Sequence, residues 1–286
     1  MSADLAFGIF AITGLSALAY TVGRRVGLNS GKARQPYFLA SMLAGLVFSW
    51  EMAGKLSWAV VFPTSSVLFW ANLMPVILSF AAGIACTMVS LTGWRRQGTV
   101  IGLMLLTIGY TLTPIARPIF ARAETDEIAT WRDNVCLQSH SATCAPAAAA
   151  TLLSLSGISA TEFAMVSPCL TSSMGTEPLG LFRGLAIAAS GKPVRPAVAS
   201  SDPATWTEGD QLPNIALVEF ELADSQGSSG RIFGPQHEGH AVVIHGRDPR
   251  GNWIVLDPAF GRTVWSPSTF ESRFTGDAIY MKSVSK

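Results

Sequence analysis

Apolar positions are distributed unevenly along the chain: long uninterrupted runs fill the first 120 residues or so, and short segments broken by Gly, Pro, Ser and Asp fill the rest. LAFGIFAITGLSALAYTVG (5–23), VLFWANLMPVILSFAAGIACTMVSL (67–91) and TVIGLMLLTIGYTLTPIA (99–116) each have roughly the length that crosses a hydrocarbon core as a helix. The stretch from Tyr37 to Trp50 has only 14 residues, and reaches Phe62 only if Glu51 and Lys55, spaced i, i+4 and able to pair, join the same helix. Counting it gives about four spans, with a re-entrant segment as the alternative.

The first run is not a signal peptide, because it lacks a basic leading region, carries Asp4, and is followed by Arg24 and Arg25 instead of a small-residue cleavage site. Cations set the orientation: Arg24, Arg25, Lys32 and Arg34 follow span one, and Arg95 and Arg96 lie between spans three and four. Four spans then place both termini outside the cytoplasm, and a second span that fails to cross moves the C-terminal part to the cytoplasm. Trp50, Trp58, Trp70 and Trp94 fall near span ends, where interfacial anchors sit.

Residues 1–120 therefore read as a transmembrane helical region and 121–286 as a globular α+β domain, about 160 residues being enough for one core. The pattern predicts a helix from Pro146 to Leu155 closed by Gly157, and a second over EPLGLFRGLAIAAS, capped by Thr176 and ended at Gly191. Strands follow at 214–222, 240–246, 252–258, 262–266 and 278–282. SQGSSGRIFGPQHEG reads as a Gly-rich loop with no strand-to-helix context, and no phosphate-binding loop occurs anywhere, so no nucleotide is expected.

Composition sharpens this picture. The chain is 49% hydrophobic and 14% charged, which indicates a lipid bilayer as one partner. A net charge of +1 without interleaved basic and aromatic runs excludes a nucleic-acid partner. The cysteines lack zinc-ligand spacing, so neither metal nor cofactor is expected.

The candidate chemistry lies in CLQSHSATCAPAAAATLL (136–153). Cys144 stands just before a helix that Pro146 can open, where the helix dipole and unpaired amide N–H groups favour a thiolate. Gln138 can supply a side-chain amide beside the Cys144 N–H for an oxyanion. The base is one of His140, His237, His240 and His245. His140 belongs to a short polar loop and His237 to the Gly-rich one, while His240 and His245 lie on one strand facing opposite sides. A type I turn over Asp248–Gly251 would pair residues whose numbers sum to 499, so that Asp257 projects on the His240 face. A bulge at Gly251 would shift the pairing by one and bring the His245 face round instead.

Gln138, Cys144, His240 and Asp257 in this order resemble the C39 family of papain-like cysteine peptidases, the bacteriocin-processing type. The resemblance rests on CLQSHSATCAPAAAATLL, MGTEPLGLFRGLAIAASG, GHAVVIHG and VLDPAFGRTVWSPSTFESRFTG and covers about 150 residues from near Trp131. It implies Cys144 as nucleophile, His240 as base, Asp257 as the group orienting that base, Gln138 as oxyanion donor, and a peptide or protein substrate. Ala145 departs from the family's usual Gly after the cysteine. A catalytically idle peptide-binding module and a thioacyl transferase are the competing readings. Cys136 and Cys169 are candidates for a disulfide that would leave Cys144 reactive, and Cys86 packs as a small apolar residue.

Overall fold

The structure, a computed structural model, describes residues 2–221 and 237–284. It divides into two compact units, Met1–Trp58 with Thr64–Arg117, and Ala59–Pro63 with Pro118–Lys286.

The first unit is helical. Its elements are α1 (Ala3–Asn29), α2 (Arg34–Glu51), the start of the short α3 (Trp58–Val61), α4 (Val67–Trp70), α5 (Met74–Ala85) and most of α6 (Gly93–Phe120). Glycines let backbones approach where α1 crosses α5: a Cβ on Gly23 would lie 2.2 Å from the Phe80 carbonyl oxygen, and one on Gly83 2.2 Å from that of Tyr20. Small residues at helix contacts of this kind are what packing in lipid favours. Arg34 donates from Nε to the Gly27 carbonyl (2.6 Å) and from Nη1 to that of Thr87 (3.0 Å), satisfying carbonyls near the ends of both helices. Phe48, Met74, Leu78, Ala81, Ala85 and Leu103 form the core, while large apolar side chains stay exposed on α1 (Phe7, Phe10), α2 (Leu43, Leu46) and α6 (Leu105, Leu106).

Among the described residues, three stretches are long and apolar enough to cross a membrane: Ala3–Asn29, Val67–Ala85 and Gly93–Phe120. The expected second span is not among them. Its helix, α2, ends at Glu51, and Met52–Ser57 turns away before α3 begins, so Glu51 and Lys55 share no helical face. The third expected span is broken at Ala71–Leu73 and stops at Ala85, with Pro75 at the head of its second segment. Trp50 and Trp94 are exposed at helix ends as interfacial anchors would be, whereas Trp58 packs on Phe48 (ring centroids 6.3 Å apart).

The second unit is α+β. It opens with a hairpin, β1 (Thr130–Arg132) and β2 (Val135–Leu137), whose Asp133 and Asn134 both have positive φ, as a two-residue primed turn requires. Three helices follow: α7 (Cys144–Leu155), α8 (Glu162–Val166) and α9 (Pro178–Ala188). Gly157, at φ +76°, closes α7, and the Ile158 N–H returns to the Leu153 carbonyl. The N-cap of α9 is Glu177 instead of Thr176, whose hydroxyl pairs with that of Thr171 at 2.8 Å. The remaining elements are β3 (Val194–Val198), β4 (Asn214–Glu221), β5 (His237–Arg247), β6 (Trp253–Asp257), β7 (Gly261–Trp265), α10 (Pro267–Glu271) and β8 (Phe274–Ser283). The strands from β3 onward form one antiparallel sheet in the order β3-β8-β4-β5-β6-β7. Val242, Ile244, Trp253 and Val255 enter a core with Trp206 and Phe270, and α7 packs against β5 and β4. Most of the Gly-rich loop expected between β4 and β5 lies outside the described residues, and its last three residues begin β5.

The β5–β6 hairpin carries two irregularities that cancel. The Gly251 N–H bonds the Asp248 carbonyl (2.9 Å), as in the expected type I turn, but Gly251 takes φ +84° and the Asp248 N–H bonds the Asn252 carbonyl (2.8 Å). That is the one-residue bulge, and it shifts the pairing to a sum of 500 (Arg247 with Trp253, Gly246 with Ile254). A second shift between Ile244 and Gly246 restores 499 (Ile244 with Val255, Val243 with Leu256). Because the second bulge falls at exposed His245, the pairing nearer His240 is the one that puts Asp257 on its face.

Candidate active site

Cys144 is the first residue of α7, follows a 3-10 turn over Ser141–Thr143, and is 9% exposed. The segment before it is tied down on three sides. The Cys136 N–H donates to Thr151 Oγ1 on α7 (2.9 Å), the Gln138 N–H to the Pro258 carbonyl (2.9 Å), and the Ser139 N–H to Glu162 Oε1 (2.9 Å). Since Pro258 follows Asp257, the second of these bonds locks the cysteine-bearing segment to the aspartate turn.

Asp257 ends β6 and is 1% exposed. Its Oδ1 receives the His240 Nε2–H at 2.8 Å and the Ala259 N–H at 2.8 Å. With Nε2 engaged there, Nδ1 is the ring nitrogen left for the Cys144 thiol, which hydrogen-bonds the same imidazole. Burial of the ring would by itself lower the His240 pKa, but the hydrogen bonds to Asp257 and Cys144 and the charge of both groups outweigh it and push it from 6.5 up to about 9. The Phe220 ring lies against the imidazole (centroids 5.6 Å apart), is braced edge-on by Trp265, and carries the Arg273 guanidinium 4.7 Å above it. Asp257 itself is buried, so the His240–Asp257 bond lies in a medium of low dielectric, where a hydrogen bond is stronger than in water.

A cleft of about 560 Å³ opens over the thiol and imidazole. Cys144, Ala145 and Met174 border it on one side, and Glu219, His240 and Asp277 on the sheet side. Gln138 does not line it: its Nε2 donates to the His140 carbonyl (3.1 Å), and its buried Oε1 has no hydrogen-bond partner. The structure thus brings Cys144, His240 and Asp257 together and leaves the Gln138 amide turned toward its own loop.

His140 sits near Glu124 and Asp126 (3.9 and 3.8 Å) and His245 is exposed, so neither serves the thiol. Every cysteine is free among the described residues, and the Cys136–Cys169 disulfide is not formed. Cys136 lies beside Ala147 and Ala150 of α7, whereas Cys169 is pressed against Gly180 and Gly184 of α9. Burial pushes their thiols up to about 11 and about 12. Among the described residues no group of three or more His, Cys, Asp or Glu is placed to hold a metal.

Phe220 and Glu162 are the residues around this site that sequence reasoning missed. Phe220 meets His240 only through the β4–β5 register, in which Val218 stands opposite His240. Glu162 stands in the first turn of α8 after its Thr161 cap, yet it is wholly buried.

No family model matches the chain, and no curated protein matches it. Solved structures do. A double glycine motif protease from an AMS/PCAT transporter, in complex with its leader peptide, is 19% identical with a TM-score of 0.41, over 52% of this chain and 91% of that one. The peptidase domain of Streptococcus ComA, a bifunctional ABC transporter of a quorum-sensing pathway, is 21% identical with a TM-score of 0.40, over 52% and 96%. The corresponding domain of Streptococcus mutans ComA is 23% identical with a TM-score of 0.34, over 52% and 98%.

Proposed function

We propose that residues 121–286 form a papain-like cysteine peptidase domain of the C39 type, attached to the membrane through the helices of residues 1–120, and that it hydrolyses peptide bonds. One observation carries this reading: a thiol at the head of α7 and a buried carboxylate at the end of β6 engage the same imidazole at the floor of an open cleft. The exposed apolar side chains of α1, α2 and α6 support the lipid attachment.

In this mechanism His240 takes the Cys144 proton through Nδ1, and Asp257 fixes the tautomer and steadies the imidazolium. The thiolate attacks a peptide carbonyl. The Cys144 N–H and the Gln138 amide hold the oxyanion, for which the amide turns from the His140 carbonyl toward the thiol. His240 then protonates the leaving amine, and water cleaves the thioester.

Labelling tests it. The full chain in detergent is treated with a peptidyl acyloxymethyl ketone, which reports a thiol activated beside a peptide site. Labelling should vanish in Cys144→Ala and His240→Ala and persist in Cys86→Ala. Equal labelling of the Cys144→Ala protein would remove the proposal. The cation pattern supports an extracytoplasmic domain if the 18-residue α2 crosses. A C-terminal alkaline phosphatase fusion should then be active, and an inactive, stable fusion would place the domain in the cytoplasm.

A further inference from the structure

Glu162 is 0% exposed, at the head of a five-residue helix that the scheme above does not use. Its Oε1 accepts from the Ser139 N–H (2.9 Å) and from the Ser139 hydroxyl (3.1 Å), while its buried Oε2 has no hydrogen-bond partner. The Ser139 hydroxyl in turn accepts the Asp126 N–H at 3.0 Å. On the other side of Gln138, the Glu162 backbone N–H bonds the Cys136 sulfur. One residue thus grips the chain two positions before Gln138 and one position after it.

A carboxylate is an expensive way to fill this space. Burying one costs several kcal/mol unless its lone pairs are matched, and an apolar residue of similar volume often serves stability as well or better. Here one oxygen is unmatched and both side-chain bonds go to a single residue, so stability alone is a poor account of why a glutamate stands here. What the two grips do define is the path of Cys136–Ser139, and with it the backbone position from which the Gln138 side chain extends.

We infer that Glu162 is a positioning residue for oxyanion stabilisation: by holding Cys136 and Ser139 it fixes the segment that presents the Gln138 amide to the reacting carbonyl oxygen. This rests on the peptidase reading. It acts through Gln138 and not on the substrate, so its loss separates two kinds of Cys144 chemistry. Capture of a peptide aldehyde forms a hemithioacetal whose oxygen needs the donors, whereas alkylation by iodoacetamide displaces iodide at the thiolate and forms no oxyanion.

The test uses the full chain in detergent micelles, with a panel of N-acetyl tetrapeptide aldehydes ending in glycinal, alaninal or leucinal, and with iodoacetamide followed at Cys144 by mass spectrometry. Glu162→Leu should weaken aldehyde capture at least tenfold and leave the Cys144 alkylation rate within about threefold of the parent, a partial loss compared with the roughly 100- to 1000-fold effect of deleting a donor. Glu162→Gln, which keeps an oxygen toward Ser139, should recover capture to within about threefold of the parent. Equal loss of both reactions in Glu162→Leu, or unchanged capture, overturns the inference. If Glu162→Leu does not fold, Ser139→Ala decides: it should lower capture without slowing alkylation, and parallel changes in the two refute the role. A parent that captures no aldehyde of the panel at Cys144 fails the peptidase reading itself, and this inference with it.

Discussion

Replacing Asp257 by Asn should remove much of the upward shift in the His240 pKa. In the parent, burial lowers the ring's pKa and the bonds to Asp257 and Cys144 more than compensate, leaving it at about 9 against an ordinary 6.5. That difference corresponds to roughly 3 kcal/mol, at about 1.4 kcal/mol per pH unit. The imidazolium is the favoured form in the folded protein, so the stabilisation is fully present below pH 6.5 and is lost as pH rises through about 9. In Asp257→Asn the carboxylate is gone while burial remains, and the pKa should fall back toward or below 6.5. Histidine Cε1–H resonances of the full chain in micelles, assigned with His140, His237 and His245 variants, give the two values directly. Thermal melts give the energy: the advantage of the parent over His240→Gln should shrink by roughly 3 kcal/mol between pH 6 and pH 10, or about 6–12 °C for a domain of this size. Parallel melting curves, or an Asp257→Asn protein whose His240 still titrates near 9, would refute the reasoning.

Three further outcomes follow from the same geometry. Gln138→Ala should lower kcat about 100- to 1000-fold with little change in KM, and unchanged turnover would remove Gln138 from the oxyanion hole. Gly184→Ala should destabilise the second unit by about 1–3 kcal/mol, because the new methyl would stand 2.2 Å from the Cys169 sulfur; an unaltered melting temperature would show that α9 can shift. Cys136 and Cys169, with thiols raised to about 11 and about 12, should resist alkylation in the folded protein at pH 8 and be recovered unbridged after unfolding in acid. A Cys136–Cys169 disulfide peptide in non-reducing mass mapping would contradict that.

What was legible in the sequence depended on whether a local signal decided the structure. The two ends of α7 carry their own punctuation in Pro146 and Gly157, and β4 to β7 show as short apolar runs between turn residues. The primed hairpin of β1 and β2 was missed because three-residue strands leave no periodicity to read. β3 was missed because Pro196 reads as a strand breaker, although an edge strand tolerates it. The His240–Asp257 pairing follows in the sequence from a regular turn, with the Gly251 bulge only as the alternative that would overturn it; the structure has that bulge and a second one at His245, and only the two together keep the expected face. For span two, α2 turns at Glu51 before it can gather the apolar residues beyond, which hydropathy alone did not show. Glu162 is the opposite case: a charged residue whose burial is decided by Ser139 and Cys136, far enough along the chain that no local pattern reports it.

The most direct measurement is a comparison of peptide termini in cells carrying the parent chain and cells carrying Cys144→Ala. New termini in exported or membrane-associated peptides should appear with the parent and be lost together in Cys144→Ala and His240→Ala. Identical termini with and without the Cys144 thiol would contradict a peptidase.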